Sequence, residues 1–563
     1  MRLDVQRVCL RWCARAGALG LCTALACHGD QPTGLNGASC QAGTVAPLVI
    51  AVGAYVSLDP ASSAGCVVFP PNASATDSVE YLVVPQSAPL TPVSSSAFLL
   101  QGSSAAMTAP AMASPVLAPT PTPPRLTARA FDRTLRQAEA TRSYAAAPRA
   151  LVQAEAGPTA AAAPGPPAVG SLRTFQVCSA LTCTSFNGVT GRVQTVGAHI
   201  AVYVDTLAPA NGLNAADLDT LTTLFDNRLY PTDTTAFGRE SDVDANGVVV
   251  VLMTGAVNSL VSKSECSSGG FVAGFFFSAD LDPTVRTQFS NGEVFYSIVA
   301  DPLGALSCSH SRGEVKRIAP VTFVHEFQHM INFVQHVLVR GKDPEAGWLD
   351  EGLSKYAEEL AGRSFLPGDP ATFNSYVSND IYDAYQYLAA TGDSPLLIPQ
   401  DDGTLAEIGA SWLFTRYLVD QFGPSLPQRL VGSATMGGVN VSLATGQSFV
   451  ALLARWALAN WVSDLPGFTA PSELTYTSWA FRTTFASAHS QDPTHFPQAY
   501  PLIPTASAGA AVNLTGTLRS GSQMHQRAFQ GPGAPGFSLL FSTDGSVPLP
   551  SVVVPRLTIL RIR

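Results

Sequence analysis

Two histidines four residues apart, with a glutamate directly after the first, constrain this chain of 563 residues more than any other feature. His325, Glu326 and His329 lie within residues 323–334, where apolar side chains recur at helical spacing. On a helix, the two histidines are about 40° apart around the axis and about 6 Å apart along it. Both imidazoles can then bind one zinc ion, with Zn–N bonds of about 2.0–2.1 Å. Glu326 can lie beside the open coordination position and act as a base toward water.

The neighbouring sequence is typical of a buried metal-binding helix. Pro320 predicts the first helical position, because its fixed φ and missing N–H suit a helix start. Residues 292–300 predict a strand ending at Asp301, and an edge strand beside a metal can hold an extended peptide. The alternative is an ordinary helix with two hydrogen-bonded histidines and a surface glutamate.

A zinc site with one open position needs a third protein ligand. A histidine six residues after His329 is excluded, because Gln335 stands there. Glu351 is the better candidate, in a segment that predicts a loop entering a second helix with Glu351 at its start. Asp350 and Ser354 are candidates for orienting the ligands, and each is equally suited to capping that helix.

Residues 325–333 and 348–354 together resemble the zinc-binding segments of the hyicolysin-type family of secreted bacterial metallopeptidases, which are gluzincins. The resemblance extends more loosely over residues 195–465. It implies an α+β fold: a zincin-like (gluzincin) catalytic domain with a twisted sheet, an active-site helix and a helical lower lobe. Short strand patterns on either side of this region predict small flanking all-β modules. The roles that it implies are the zinc ligands His325, His329 and Glu351, and the catalytic base Glu326.

The resemblance implies an exported zinc-dependent endopeptidase that hydrolyses peptide bonds with a zinc-bound water activated by the glutamate base. Its expected partners are protein or peptide substrates. Gluzincins often stabilise the oxyanion with a tyrosine or histidine, and the candidates are Tyr356, Tyr382, Tyr385, Tyr387 and His336. The alternative function is a surface binding or adhesion lipoprotein with an inactive or structural zincin domain. Glu326 favours the enzyme, because a metal-binding scaffold has no use for a base.

The first residues predict export. Arginines followed by the apolar run 16–26 are typical of a secretory signal peptide over residues 1–26. The site before Cys27 resembles a bacterial lipoprotein cleavage site, which predicts acylation of Cys27, with ordinary cleavage as the alternative. The expected location is the bacterial cell surface or outer membrane, or the extracellular medium. Contact with a membrane is expected only through that lipid.

Six cysteines follow the signal region, and an even number in an exported chain predicts disulfides. Proximity in sequence favours the pairs Cys40–Cys66, Cys178–Cys183 and Cys266–Cys308. A zinc cluster of cysteines lacks any C-x-x-C spacing, and a catalytic cysteine paired with His310 lacks a supporting motif.

The net charge and one acidic segment bear on whether the chain binds nucleic acid or calcium. The formal net charge of −9, without a basic patch, argues against nucleic acid. Asp242, Asp244 and Asn246 match the first half of an EF-hand loop, but Met253 stands where its last glutamate belongs. An Asx-rich turn is therefore favoured over a calcium site, and both interpretations stay open.

Composition divides the chain into five parts. Residues 103–170 are rich in alanine and proline, so they are expected to form a disordered linker, with a transient helix without a partner inside 128–155. The predicted order is a signal peptide (1–26), an N-terminal β-domain and candidate prodomain (27–102), the linker (103–170), the catalytic domain (171–470) and a C-terminal β-module (471–563).

Overall fold

The computed structural model describes Cys40, residues 45–104 and 131–142, Tyr144, and residues 165–397 and 404–563. The predicted signal peptide and Cys27 lie outside the described residues. The strands are β1 (Tyr55–Leu58), β2 (Cys66–Phe69), β3 (Val79–Ser87), β4 (Ser96–Ser103), β5 (Leu172–Cys178), β6 (Phe186–Val196), β7 (Ile200–Asp205), β8 (Val249–Met253), β9 (Gly274–Phe276), β10 (Val294–Ser297), β11 (Thr505–Ala508), β12 (Asn513–Leu518), β13 (Gln526–Gln530), β14 (Phe537–Ser542) and β15 (Pro555–Arg561).

The helices follow the same numbering. They are α1 (Phe131–Ala140), α2 (Ala215–Leu224), α3 (Tyr230–Phe237), α4 (Gly255–Asn258), α5 (Lys263–Gly269), α6 (Arg312–Phe333), α7 (Gly347–Arg363), α8 (Pro370–Ala389), α9 (Leu405–Phe422), α10 (Leu426–Val431), α11 (Gly437–Thr445), α12 (Phe449–Val462) and α13 (Phe481–Gln491). A π-helical segment, Val334–Val339, continues α6.

A six-stranded mixed sheet supports the helix that carries the two histidines. Its order is β5-β6-β7-β8-β10-β9, with β7, β8 and β10 parallel and β9 antiparallel at the edge. All residues of β8 and β10 are buried, as expected for strands covered on both faces. The predicted edge strand is therefore displaced: β10 lies inside the sheet, and β9 takes the edge.

Helix α6 packs against β9 and β10 and is fixed from its first turn. The Ser311 side chain accepts a hydrogen bond from the Glu314 N–H and caps the helix. The prediction that the helix starts at Pro320 is wrong, because this upstream cap starts it at Arg312 and places Pro320 inside. Phe323 is fully buried and meets Phe295 of β10 at 5.2 Å, a burial worth about 1.5–3 kcal/mol.

The close approach of β9 to α6 depends on one glycine. A Cβ added to Gly274 would lie 2.4 Å from Cγ2 of Thr322 on α6. The absent side chain therefore lets the edge strand lie directly along the helix that carries the histidines.

A helical lobe covers the other side of α6. Helix α7 packs against α6, α8 and α9. The core of this lobe includes the fully buried Trp412 and Trp456. Helix α7 begins at Gly347, so Glu351 lies in its second turn and not at its start as predicted. Among the described residues, no single helix is long and apolar enough to cross a membrane. Helices α11 and α12 meet the length and hydropathy criteria only when taken together, and the chain bends by 88° between them.

Strands from the two ends of the chain form one β-sandwich. One sheet has the order β1-β15-β3-β13-β11, and the other β12-β4-β14-β2. Val83 of β3, for example, lies opposite both Gln526 and Ile559. The sequence predicts two separate β-modules, whereas each sheet combines strands of both. The reason is that every residue of β3 is buried, so this strand requires partners on both sides.

The described residues thus form a mixed α and β structure, consistent with the expected α+β class.

The three predicted cysteine pairs are bonded, with Cα–Cα distances of 5.5, 4.8 and 5.8 Å in chain order. Part of the predicted linker differs from expectation, since α1 is a helix that buries Phe131 and Leu135 against the rest of the protein. A few apolar side chains suffice here because they join an existing core.

Candidate metal centre

Three side chains from two consecutive helices bring possible metal ligands together. The Nε2 atoms of His325 and His329, both on α6, lie 3.2 Å apart. Oε2 of Glu351 on α7 lies 3.8 Å from the first of these nitrogens and 3.6 Å from the second. Ligands in a tetrahedral zinc site are about 3.3–3.5 Å apart. The three donor atoms are therefore spaced as ligands of one zinc ion would be.

The hydrogen bonding of Glu351 also fits a cation. Its Oε2 atom is buried and has no hydrogen-bond partner in the part of the chain that the structure describes. A buried carboxylate without a hydrogen-bond donor needs a positive charge beside it. The residues present therefore fit a metal ion at this point.

Each histidine is oriented by a carboxylate on α7. Nδ1 of His325 lies 2.7 Å from Oε1 of Glu358, and Nδ1 of His329 lies 2.8 Å from Oδ2 of Asp350. These contacts turn both Nε2 atoms toward Glu351. A carboxylate on the far nitrogen fixes the ring and makes the histidine a better ligand. Asp350 was a candidate either for orienting a ligand or for capping the helix. It contacts His329, and the N-cap of α7 is Ala346 instead.

Further polar groups hold these carboxylates in place. Asn332 donates a hydrogen bond to Asp350, and the Ser354 hydroxyl lies 3.1 Å from Nδ1 of His329. Lys355 lies 3.0 Å from Glu358 and also pairs with Asp380 at 3.4 Å. Sequence reasoning missed Glu358, Asn332 and Lys355. One signal was present for Glu358, which lies seven residues after Glu351 and so on the same face of α7.

Glu326 lies in the same cluster as the histidines. One ligand atom from each of His325, Glu326 and His329 lies within 4.8 Å of the others. The Phe276 N–H, at the end of the edge strand β9, donates a 2.8 Å hydrogen bond to Oε2 of Glu326. Burial raises the pKa of this carboxyl to about 7. Glu326 is thus a weakly acidic group held between the edge strand and the two histidines.

Helix α1 adds an unexpected carboxylate to this cluster. Oδ2 of Asp132 lies 3.7 Å from Nε2 of His329. Asp132, His329 and Glu351 also offer ligand atoms within 4.8 Å of one another. Nothing in the local sequence signals this position for Asp132, because it depends on how α1 docks.

The predicted oxyanion donors contact other parts of the protein. The Tyr356 ring lies under the Arg416 guanidinium at 4.9 Å, and Tyr385 hydrogen-bonds through its hydroxyl to the backbone of Gln498. His336 lies 3.8 Å from Glu345 in the helical lobe. The other two tyrosines also lie on α8, where Tyr382 contacts Phe496 and the Tyr387 hydroxyl accepts a hydrogen bond from Gln523.

The acidic segment forms the predicted turn and meets another carboxylate. Asp244 accepts a hydrogen bond from the Asn246 N–H, and Asp242 accepts one from the Gly247 N–H. Glu293, which precedes β10, offers a ligand atom within 4.8 Å of Asp242 and Asp244. Its Oε2 atom is buried without a hydrogen-bond partner among the described residues. Burial raises the pKa of Glu293 to about 7.

Cys308 lies 3.6 Å from His310 through its sulfur, and with Cys266 these residues form a third cluster of potential ligands. Both cysteines are joined in a disulfide, so neither offers a thiolate. The arrangement therefore fits neither a thiol nucleophile nor a cysteine metal site.

The chain is similar in sequence to a curated metalloprotease. The chain is 27% identical to the neutral metalloprotease ShpI of Staphylococcus hyicus over 198 residues. The matched region is 35% of this chain and 40% of ShpI, so the chain spans less than half of that relative's length. No protein-family model matches the chain. The similarity supports a relationship to the metalloproteases, in agreement with a centre whose side chains fit a metal ion.

Proposed function

We propose that the chain is an exported zinc-dependent endopeptidase of the hyicolysin-type, gluzincin family, with a zincin-like catalytic fold. The observation that carries the proposal is the spacing of His325, His329 and Glu351, together with Glu326 in the same cluster. The similarity to a protein named a neutral metalloprotease supports it. Peptides or proteins are the proposed substrates.

Zinc, when bound to these three residues, supplies a Lewis acid that makes water acidic and polarises a peptide carbonyl. Glu326 removes the proton from the attacking water and later donates it to the leaving amine. The Phe276 N–H holds one oxygen of Glu326, so its carboxylate keeps a fixed orientation during both transfers. Glu358 and Asp350 keep the two imidazoles turned toward the metal position.

The edge strand β9 is the proposed docking site for the substrate backbone. Within the described sheet β9 pairs on one side only, with β10. An extended peptide can add to the other side through main-chain hydrogen bonds. Phe276 ends β9 and also contacts Glu326, so a peptide aligned on this strand passes beside the catalytic base.

We propose that the protein is exported, because of its disulfides and the sequence of its first residues. Three disulfides in the described residues are typical of proteins in oxidising compartments. The sequence of residues 1–26 predicts the signal peptide, and Cys27 is the proposed lipid attachment site. The protein is then either a lipoprotein of the bacterial surface or outer membrane, or secreted.

A calcium ion is the second proposed cofactor, bound by Asp242, Asp244 and Glu293. The EF-hand-like segment lacks its final glutamate in sequence, and Glu293 supplies a carboxylate from a neighbouring segment instead. The buried Oε2 atom of Glu293, without a hydrogen-bond partner among the described residues, supports this assignment. The Asx turn is compatible with it, because the turn itself gathers the oxygens.

The proposed function is tested by casein hydrolysis with the purified zinc-loaded protein, beside Glu326→Gln. Cleavage that needs Glu326, with equal zinc content in both proteins, supports a peptidase. Equal cleavage by both would overturn the role of Glu326. Zinc binding without cleavage, by this protein and also by the Asp132→Ala variant described below, would favour the binding or adhesion protein instead.

A further inference from the structure

Helix α1 is docked over the metal centre although it comes from an alanine- and proline-rich stretch. Phe131 and Leu135 are 1% and 3% exposed, and the Phe131 ring meets Phe275 of β9 edge-on at 5.2 Å. A helix of ten residues is marginal by itself in water. Its stability here must therefore come from packing against β9 and α7.

The first turn of α1 brings Asp132 to the open side of the ligand set. Its Oδ2 atom is 3.7 Å from Nε2 of His329, similar to the separation of the other donors. His325, His329 and Glu351 account for three positions of a tetrahedral site. Asp132 is placed to take the fourth, which a catalytic zinc reserves for water.

The next turn of α1 occupies the edge strand. Arg136 donates a 2.8 Å hydrogen bond from Nη2 to the carbonyl oxygen of Phe276. Its guanidinium also pairs with Glu139 at 3.0 Å and approaches Asp350 at 3.7 Å. Arg136 is 5% exposed, so these contacts are enclosed. The carbonyl that a substrate strand would use at this end of β9 is already taken.

We propose that α1 is a built-in inhibitor, in which Asp132 takes the fourth metal position and Arg136 blocks the substrate edge of β9. This inference rests on the proposed peptidase function. It predicts that the full chain hydrolyses peptides slowly and becomes faster when α1 leaves the centre.

The topology indicates which part of the chain has to move. Strands β1–β4 are hydrogen-bonded to strands that follow residue 504, within the shared sandwich. The N-terminal β-strands therefore stay attached when the chain is cut between the sandwich and the catalytic region. Residues 105–130 and 145–164 flank α1 in sequence, and cuts in both would release it.

The first arm of the test measures metal release, using the full chain with Glu326→Gln so that no hydrolysis interferes. Zinc transfer to a chromogenic chelator is followed with and without Asp132→Ala. Losing one ligand contact worth about 1.4 kcal/mol speeds zinc transfer about tenfold. Ala138→Ser, on the exposed face of α1, is the matched control and is expected to release zinc at the parent rate. Equal rates with and without Asp132 would overturn the proposal.

The second arm measures hydrolysis of a fluorogenic peptide by the full chain with Glu326 intact. Asp132→Ala and Arg136→Ala are each expected to raise the rate about tenfold or more, and Ala138→Ser to leave it unchanged. Equal peptide hydrolysis by all four proteins would overturn the inhibitor while supporting the peptidase. Faster zinc release in Asp132→Ala without hydrolysis by any protein would keep Asp132 as a ligand and reject the peptidase.

Discussion

Nδ1 of His325 lies 2.7 Å from Oε1 of Glu358, the residue two helical turns beyond Glu351 on α7. Helix α7 therefore carries both the candidate ligand Glu351 and the carboxylate that orients the candidate ligand His325 on α6. This arrangement joins α6 to α7 beside the three candidate ligands. Lys355 balances the charge of Glu358 at 3.0 Å.

Replacing Glu358 is expected to weaken zinc binding without removing a ligand. Glu358→Gln keeps the shape but loses the negative charge that makes the His325 ring a stronger donor. Losing such a partner typically lowers metal affinity about 10–100-fold. Competition with a chelator of known affinity measures the change. The exposed Asp219→Asn is the control, and wild-type affinity in Glu358→Gln would contradict the orienting role.

Removing the metal is expected to lower thermal stability. A ligand that binds only the folded state stabilises it by about 4 kcal/mol at a thousandfold excess over its dissociation constant. Differential scanning calorimetry should show a lower Tm after treatment with a zinc chelator, restored by added zinc. In His325→Ala and Glu351→Ala, the chelator should change the Tm far less. A chelator effect of the same size in these variants would contradict their role as ligands.

Calcium is expected to stabilise the protein through Glu293. With zinc kept saturating, added calcium should raise the Tm of the wild type and not that of Glu293→Gln. Asp219→Asn should respond like the wild type, because its carboxylate lies elsewhere on the surface. An unchanged wild-type Tm would leave the acidic segment as an Asx turn alone.

Stability should fall in acid through an ion pair that joins α2 to α6, in which the acid is buried and its two basic partners are exposed. Asp217 pairs with Arg312 and, at 2.9 Å, with Lys316. The hydrogen bond from Arg312 is the main cause that holds the Asp217 pKa below its usual range. Because the folded pKa is depressed, the pair stabilises the fold above the unfolded pKa of about 3.9 and loses this effect as pH falls further.

Urea unfolding of wild type and Asp217→Asn measures this dependence. The wild type is expected to have the larger free energy of unfolding at pH 7. The difference should shrink progressively below about pH 4, as the carboxylate becomes protonated. A difference that does not change with pH would show that charge on Asp217 contributes nothing.

The sequence predicts the parts of the site that depend on local spacing. His325, Glu326 and His329 lie on one helix, so their relative positions follow from helical geometry alone. Glu351 was accessible through resemblance, although its helix starts a turn earlier than expected. The prediction that α6 starts at Pro320 was wrong, because Pro320 lies inside the helix. A proline there costs stability, and the packed surroundings of α6 outweigh this cost.

Other features depend on contacts between distant residues. The pairing of Val83 with Gln526 and Ile559 joins positions more than 400 residues apart, and no local pattern encodes it. The same holds for Asp132, whose distance to His329 depends on where α1 docks. Composition gave the wrong expectation for this helix, because an average over 103–170 hides the few apolar residues that anchor it.

The measurement that tests the central claim most directly is peptide hydrolysis by zinc-loaded Asp132→Ala, compared with Asp132→Ala combined with Glu326→Gln. Both proteins carry Asp132→Ala and differ only at residue 326, and zinc content is measured in each. The account predicts cleavage by the first and a loss of about a hundredfold or more in the second, with equal zinc. Equal cleavage by both, or none by the first with zinc bound, would contradict a peptidase that uses Glu326 as its base.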